Sequence, residues 1–210
     1  MQTAMGKREE RKALERDRQR NDIFDAALEV LAREGFAGAS MNEIAAISGY
    51  SVGHVYNVIG NKKTLFDEVV LREGRELTGL INDTLVSYRT RPAVSCVDAL
   101  VDVILDFFDS HRAFFQIFLN EARGVHPGTE HQFSQNLVAL KKEAGKDVRK
   151  LFARAAAEGD LADLDLNDAS TYFLELIKGF IAAWALKGYR GRISKKAVVI
   201  KRLLWKGICG

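Results

Sequence analysis

Proline is scarce, with two residues in a chain of 210, and so are β-branched runs, which leaves little to interrupt long helices. Two cysteines, Cys96 and Cys209, lie far apart without paired spacing, excluding a disulfide framework or a zinc knuckle. No apolar run approaches the roughly 18 residues of a membrane helix, and the charged N-terminus has no apolar stretch behind it. The expectation is therefore a soluble protein with no membrane contact and no secretory leader, located in the cytoplasm. Catalytic signatures are missing as well: no GxSxG, HExxH or glycine-rich phosphate loop occurs, and His54, His111, His126 and His131 are scattered. Neither an enzyme nor a bound metal or cofactor is expected. What remains is a chain with 47% hydrophobic residues, enough for one sizeable core or two small ones, and a net charge of +3 that is too small to imply a partner by itself.

The charge is unevenly placed. Residues 7–20 carry Lys7, Arg8, Arg11, Lys12, Arg16, Arg18 and Arg20, offset by Glu9, Glu10, Glu15 and Asp17. With hardly an apolar side chain, residues 1–18 read as a basic, flexible, solvated arm, of a kind that binds phosphates only when something else docks it. From Asn21 the pattern turns periodic: Ile23, Ala27, Val30 and Leu31 fall at helical spacing, and Gly35 predicts a helix end near Glu34. Ser40 and Glu43 have the spacing of a capping box for a short helix from Met41 to about Ser48. Gly49 can take the positive φ that ends it, and Ser51 can cap the next helix, which runs to about Val58.

Two short helices across a three-residue turn, with Ile44, Ala45, Gly49, Val55 and Val58 at the apolar and small positions, are spaced as a helix-turn-helix requires. The polar residues of the second helix then lie on its outward, N-terminal side. Asn61 is the next candidate N-cap, but Lys62 and Lys63 follow where the helix dipole favours acids; a phosphate bound at that helix start would account for them.

The string from Ile23 to Leu65, with IAAISGYS, VGHVYN and NKKTLF, closely resembles the tetracycline-repressor (TetR) family of bacterial transcription regulators. The resemblance implies an all-α fold: a three-helix DNA-binding domain over 19–66 and a helical ligand-binding and dimerisation domain over 67–210. It also implies Ser40 and Tyr56 as phosphate contacts, Ser51, Gly53, His54 and Asn57 as the groove-facing set, and Lys62 as a phosphate contact. The chain departs from the common pattern with Val58 and Ile59 in place of an aromatic pair and Val52 in place of a lysine. Lacking Arg and Lys, the recognition helix has no fork for bidentate reading of guanine, so affinity leans on the arm and on backbone contacts.

Further on, a long helix from Lys62 stops before Pro92. The next apolar stripe, with Val97, Val101, Ile104, Leu105 and Phe108, runs beside Asp98, Asp102, Asp106 and Asp109. A solvated acidic face is the usual meaning of such a row; a metal or cationic ligand is the alternative, with no accompanying histidine. Phe107, Phe108, Phe114, Phe115 and Phe118 crowd two consecutive segments, as core or as the wall of an apolar cavity. The family's small-molecule effector site is expected among the middle helices, with Leu105, Phe108, Phe114, Phe118, Phe152 and Phe173 as candidates. The last two helices are apolar round much of their circumference, and Gly179 with Ala183 allows close approach of a partner, which suggests an intersubunit four-helix bundle. The expected protein is a homodimeric repressor that binds a palindromic operator in double-stranded DNA and is released by a small apolar effector. An effector-independent architectural DNA-binding protein of the same fold is the competing reading.

Overall fold

The computed structural model describes the backbone of residues 2–123, 135–159, 161 and 165–208, and their side chains except at 2–6, 118–123, 135–138, 140–141 and 207–208. The described residues form helices α1 (Gln2–Gly38), α2 (Met41–Ser48), α3 (Val52–Ile59), α4 (Lys62–Ser87), α5 (Ala93–Ser110), α6 (Arg112–Arg123), α7 (Gln135–Ala157), α8 (Leu166–Leu186) and α9 (Ala197–Ile208), with a 3₁₀ turn at Ile193–Lys196. They divide into two compact units, 1–71 with 116–132, and 72–115 with 133–210. The division falls inside α4.

In the first unit, α1 extends back through the segment read as an arm. Residues 7–18 are helical and exposed. Its predicted end is a kink: Gly35 takes φ 68°, the chain re-enters a helical turn, and α1 ends at Gly38. Ile23, Ala27, Val30 and Leu31 are buried together with Ile44, Ala45, Val55, Leu65, Phe66 and Val69. Ala45, buried at 1% exposure, is the small residue expected where the two short helices cross. Between them, Gly49 adopts φ 77°, and the Tyr50 N–H donates to the Ala45 carbonyl at 3.1 Å. A Cβ on Gly49 would meet nothing within 4 Å, so the demand for glycine comes from the backbone angle alone.

The second unit is built round α5, which packs against α7, α8, α9 and the 3₁₀ turn. Here the row of four aspartates is neither left to solvent nor gathered round an ion. Asp98 accepts from Trp205 Nε1 at 2.7 Å and Asp102 from Lys201 at 2.6 Å, while Asp106 pairs with Arg192 at 3.2 Å. Asp109 accepts from the Ile193 N–H (2.7 Å), the Ser194 N–H (3.2 Å) and Ser194 Oγ (2.6 Å). The acidic face therefore docks the C-terminal segment 192–205. Burial alone would push the Asp109 carboxyl up, but the bonds from Ser194, Ile193 and Arg192 outweigh it and hold the carboxyl below its ordinary range.

The aromatic run breaks where expected: α5 ends at Ser110, and His111 Nδ1 donates to the Phe107 carbonyl at 2.8 Å. One expectation is corrected. Helix α8 is the one described helix long and apolar enough, by length and composition, to cross a membrane. Its apolar character serves two faces, since Phe173, Ile177, Ile181 and Trp184 are buried while Tyr172 and Leu186 are exposed.

Asp109→Ala should lower unfolding stability by about 3 kcal/mol, because it strands buried donors, whereas Asp102→Ala, at a half-exposed pair, should cost under about 1 kcal/mol. Because the folded carboxyl of Asp109 is depressed, its contribution is complete above the unfolded value of about 3.9 and is lost as pH falls through the folded value. Urea titrations between neutral and acid pH should therefore show a shallower acid limb in Asp109→Asn. At the turn, Gly49→Val should cost about 1–3 kcal/mol and Gly49→Asn much less, since asparagine tolerates positive φ; melting temperatures of the two variants measure the difference.

Candidate nucleic-acid interface

An eight-residue helix is too short to hold itself, so α3 must be positioned by its neighbours. Ser51 caps it as the sequence suggests, its Oγ accepting the His54 N–H at 3.2 Å. Tyr50, just before the cap, donates its hydroxyl to Asp22 of α1 at 2.9 Å, and this bond, ahead of burial, raises the phenol above its usual range. At the other end, Arg20 reaches the Val58 carbonyl at 3.4 Å and Glu68 of α4 at 2.7 Å. Asn61 caps α4, with Oδ1 accepting the Thr64 N–H at 2.9 Å.

Of the residues expected to face DNA, Ser51, Gly53, Tyr56 and Asn57 are exposed along one side of α3. His54 is placed differently. Its ring stacks on Tyr50 with centroids 4.9 Å apart, and Nε2 is buried without a hydrogen-bond partner. The geometry makes it a packing partner of the turn as much as an outward donor. Ser40 precedes α2 in extended backbone, but the capping box does not form: Ser40 makes no side-chain cap, and Glu43 instead binds Arg33 of α1. The guanidinium of Arg33 is a charged donor and outcompetes a neutral backbone N–H for the carboxylate. Ser40 Oγ is thereby left uncommitted to α2.

Lys62 donates to the Ala37 carbonyl at 3.0 Å and lies 5.0 Å from the Phe36 ring centroid. An ammonium carries three donors, so this contact orients Lys62 and leaves capacity for a phosphate. Lys63 pairs with Asp67 at 2.7 Å, one turn along α4. Sequence reasoning missed Tyr50, Arg20, Arg33 and Phe36, because each works through a partner with no fixed spacing in the chain.

The expected effector residues lie in two clusters of rings in the second unit. Phe108 stacks on Phe114 at 6.4 Å, close to Phe107 and Phe115. Phe152 meets Phe173 at 5.6 Å. Leu105 is fully buried. The side chain of Phe118 lies outside the described residues. Beside the first cluster is a polar group that the sequence did not announce: Glu73 is 3% exposed, one oxygen held by Arg72 at 3.0 Å and the other 3.9 Å from His111 Nε2. A cleft of about 950 Å³ opens at the C-terminal end of α8, lined by Phe180, Trp184, Ile193, Lys187, Arg190 and Lys196 among others, and none of the expected effector residues lines it.

Residues 23–69 match the family model described as bacterial regulatory proteins, tetR family. The chain is 29% identical over 154 residues to the HTH-type transcriptional repressor NicS of Pseudomonas putida, covering 72% of this chain and 70% of that protein. Among solved structures, the transcriptional regulator FadR from Bacillus subtilis in complex with stearoyl-CoA superposes with a TM-score of 0.74 at 16% identity, covering 89% of this chain and 98% of that one. The ketosteroid transcriptional regulator KstR2 of Mycobacterium tuberculosis does so with a TM-score of 0.76 at 18% identity, covering 91% and 95%. At those identities the structural likeness speaks for the fold, and the family model places the likeness to regulators on the helix-turn-helix described above. Over residues 23–69 the chain is similar to the tetR family of bacterial regulatory proteins.

Proposed function

We propose that the protein is a homodimeric repressor that places two copies of α3 in successive major grooves of a palindromic operator and is released by a small apolar effector held in the second unit. The observation that carries the DNA reading is the exposed edge of α3, where Ser51, Gly53, Tyr56 and Asn57 stand clear on a helix fixed at both ends by α1. Eight residues of helix read few base pairs, so two copies are needed for specificity. Among these residues Asn57 is the one suited to direct reading, because an amide pairs bidentately with adenine. Ser40, Tyr56 and Lys62 serve the backbone, and His54 acts from beneath Tyr50.

Support for the dimer comes from α8 and α9. Tyr172, Gly179, Ala183 and Leu186, spaced by seven, four and three residues, share one exposed face of α8, and Val198 and Leu203 are exposed on α9. Apolar side chains in such rows are covered in a stable protein, and an isologous pairing covers both copies at once. The effector reading rests on the buried rings of Phe108, Phe114, Phe152 and Phe173 with Leu105, and on a protein of similar fold, the Bacillus subtilis regulator solved in complex with stearoyl-CoA. Helix α4 contributes residues to both units, so an effector that shifts it alters the spacing of the two reading heads. The setting is the bacterial cytoplasm.

A gel shift on DNA upstream of the protein's own gene, with salt titration, tests the reading; no specific complex at low salt refutes it. Asn57→Ala should cost about 1–3 kcal/mol and relax preference at one A·T pair of each half-site, as site selection from random duplexes would show. Lys62→Ala should weaken all sequences alike and make the salt slope shallower by about one unit. Leu186→Arg with Val198→Arg should give a monomer by sedimentation and abolish operator binding. An apolar effector should raise the melting temperature in a concentration-dependent way, and an architectural protein would show no such shift.

A further inference from the structure

The extension of α1 beyond the reading edge is built differently from the rest of that helix. Arg20 and Arg33 are each tied to carboxylates, Arg20 to Glu68 and Arg33 to Glu43 among others. By contrast, among the described residues none of Lys7, Arg8, Arg11, Lys12, Arg16 and Arg18 is held in an ion pair, and all six are exposed. Their helical positions segregate the charge. At 100° per residue the six cations fall within about half the circumference, whereas Glu9, Glu10 and Asp17 occupy an arc of about 100° on the other side. Only Glu15 interrupts the basic side, and it accepts from Gln19 at 3.2 Å.

One part of the basic side is oriented by contacts already described. Tyr50 hydrogen-bonds Asp22 and stacks on His54 of the recognition helix. The charges of Glu15 and Arg18 reach the same phenol. Arg18 therefore lies on the side of α1 that meets the start of α3. Lys7 and Arg11 share that side, within about 40° of one another round the axis with Arg18. From Arg18 back to Lys7 the helix rises about 16 Å, the span of four or five phosphates of one strand at about 3.4 Å each along the duplex.

Resting on the DNA-binding reading above, we propose that residues 7–18 of α1 are a helical phosphate-binding rod whose Lys7, Arg11 and Arg18 stripe engages the DNA backbone flanking each half-site. This extends the footprint beyond what α3 touches and supplies cations that the recognition helix lacks. The acidic arc keeps the rod soluble and turns its other side away from the duplex.

The test uses the full-length protein and duplexes chosen by it from a random library, with flanks of about 3 or about 10 base pairs beyond each half-site. Wild-type protein should bind the longer duplex more tightly and lose that gain as salt rises. K7Q/R11Q/R18Q should make the slope of log affinity against log salt shallower by about two to three units per subunit. It should also abolish the gain from longer flanks, with base preference and melting temperature unchanged. The double variant K7Q/R11Q, at positions with no contact to the fold, should show about two thirds of the slope change. E9Q/E10Q/D17Q should bind no more weakly than wild type. A triple variant that retains the wild-type slope and flank dependence overturns the rod, while Asn57→Ala, still altering base preference in the same assay, leaves the helix-turn-helix reading standing. Wild-type protein that binds no duplex at all overturns both.

Discussion

Everything that this protein does with DNA depends on how an eight-residue helix is held by a much longer one. Helix formation is cooperative and a segment of two turns is unstable in water, so α3 owes its existence and its direction to partners. Those partners are few and distributed at its two ends: Tyr50 on Asp22 at the start, Arg20 on the Val58 carbonyl at the finish, and Val55 and Ile59 buried between. Both hydrogen bonds reach α1. The consequence is that α1 sets the position of both ends of α3, and with it the direction of the side chains exposed along α3.

The parts of this arrangement that a reader of the sequence can find are those governed by neighbours in the chain. Gly49 needs a positive φ, Ser51 caps the residue three positions on, and Asn61 does the same for α4; all three are local, and all three were legible. The Ser40–Glu43 box failed for the opposite reason. Its spacing is right, but a guanidinium from a helix ten residues back offers Glu43 a stronger bond, and only the folded chain shows that Arg33 is within reach. Lys62 is a third case. Its place at a helix start was readable, but the Ala37 carbonyl that orients it lies 25 residues upstream.

The same limit explains the aspartates of α5. Their four- and three-residue spacing announces a face, and a face of acids has several meanings. Their partners, Arg192, Ile193, Ser194, Lys201 and Trp205, lie about eighty to a hundred residues downstream and include two backbone N–H groups, which leave no mark on sequence. With Asp109 the row becomes a joint of unequal strength. Its buried end accepts several bonds at once, while Asp102 and Asp106, half or more exposed, add little more than screened attraction.

A division of labour follows from what α3 lacks. A recognition helix with neither arginine nor lysine cannot draw its affinity from the side that reads bases, because exposed hydroxyls, a glycine and an amide supply direction and discrimination but little Coulomb attraction. The attraction has to come from cations held elsewhere at fixed distance from α3. On the proposed reading Lys62, oriented by Ala37 and Phe36, is such a cation, and Arg18, one helical turn before the Asp22 that holds Tyr50, is another. Separating the two tasks has a physical benefit: substitutions in α3 can change which sequence is preferred without changing how tightly the backbone is held. It also sets a limit, since a protein bound chiefly through phosphates discriminates only as well as its few base contacts allow, and doubling those contacts through a second copy is the direct remedy.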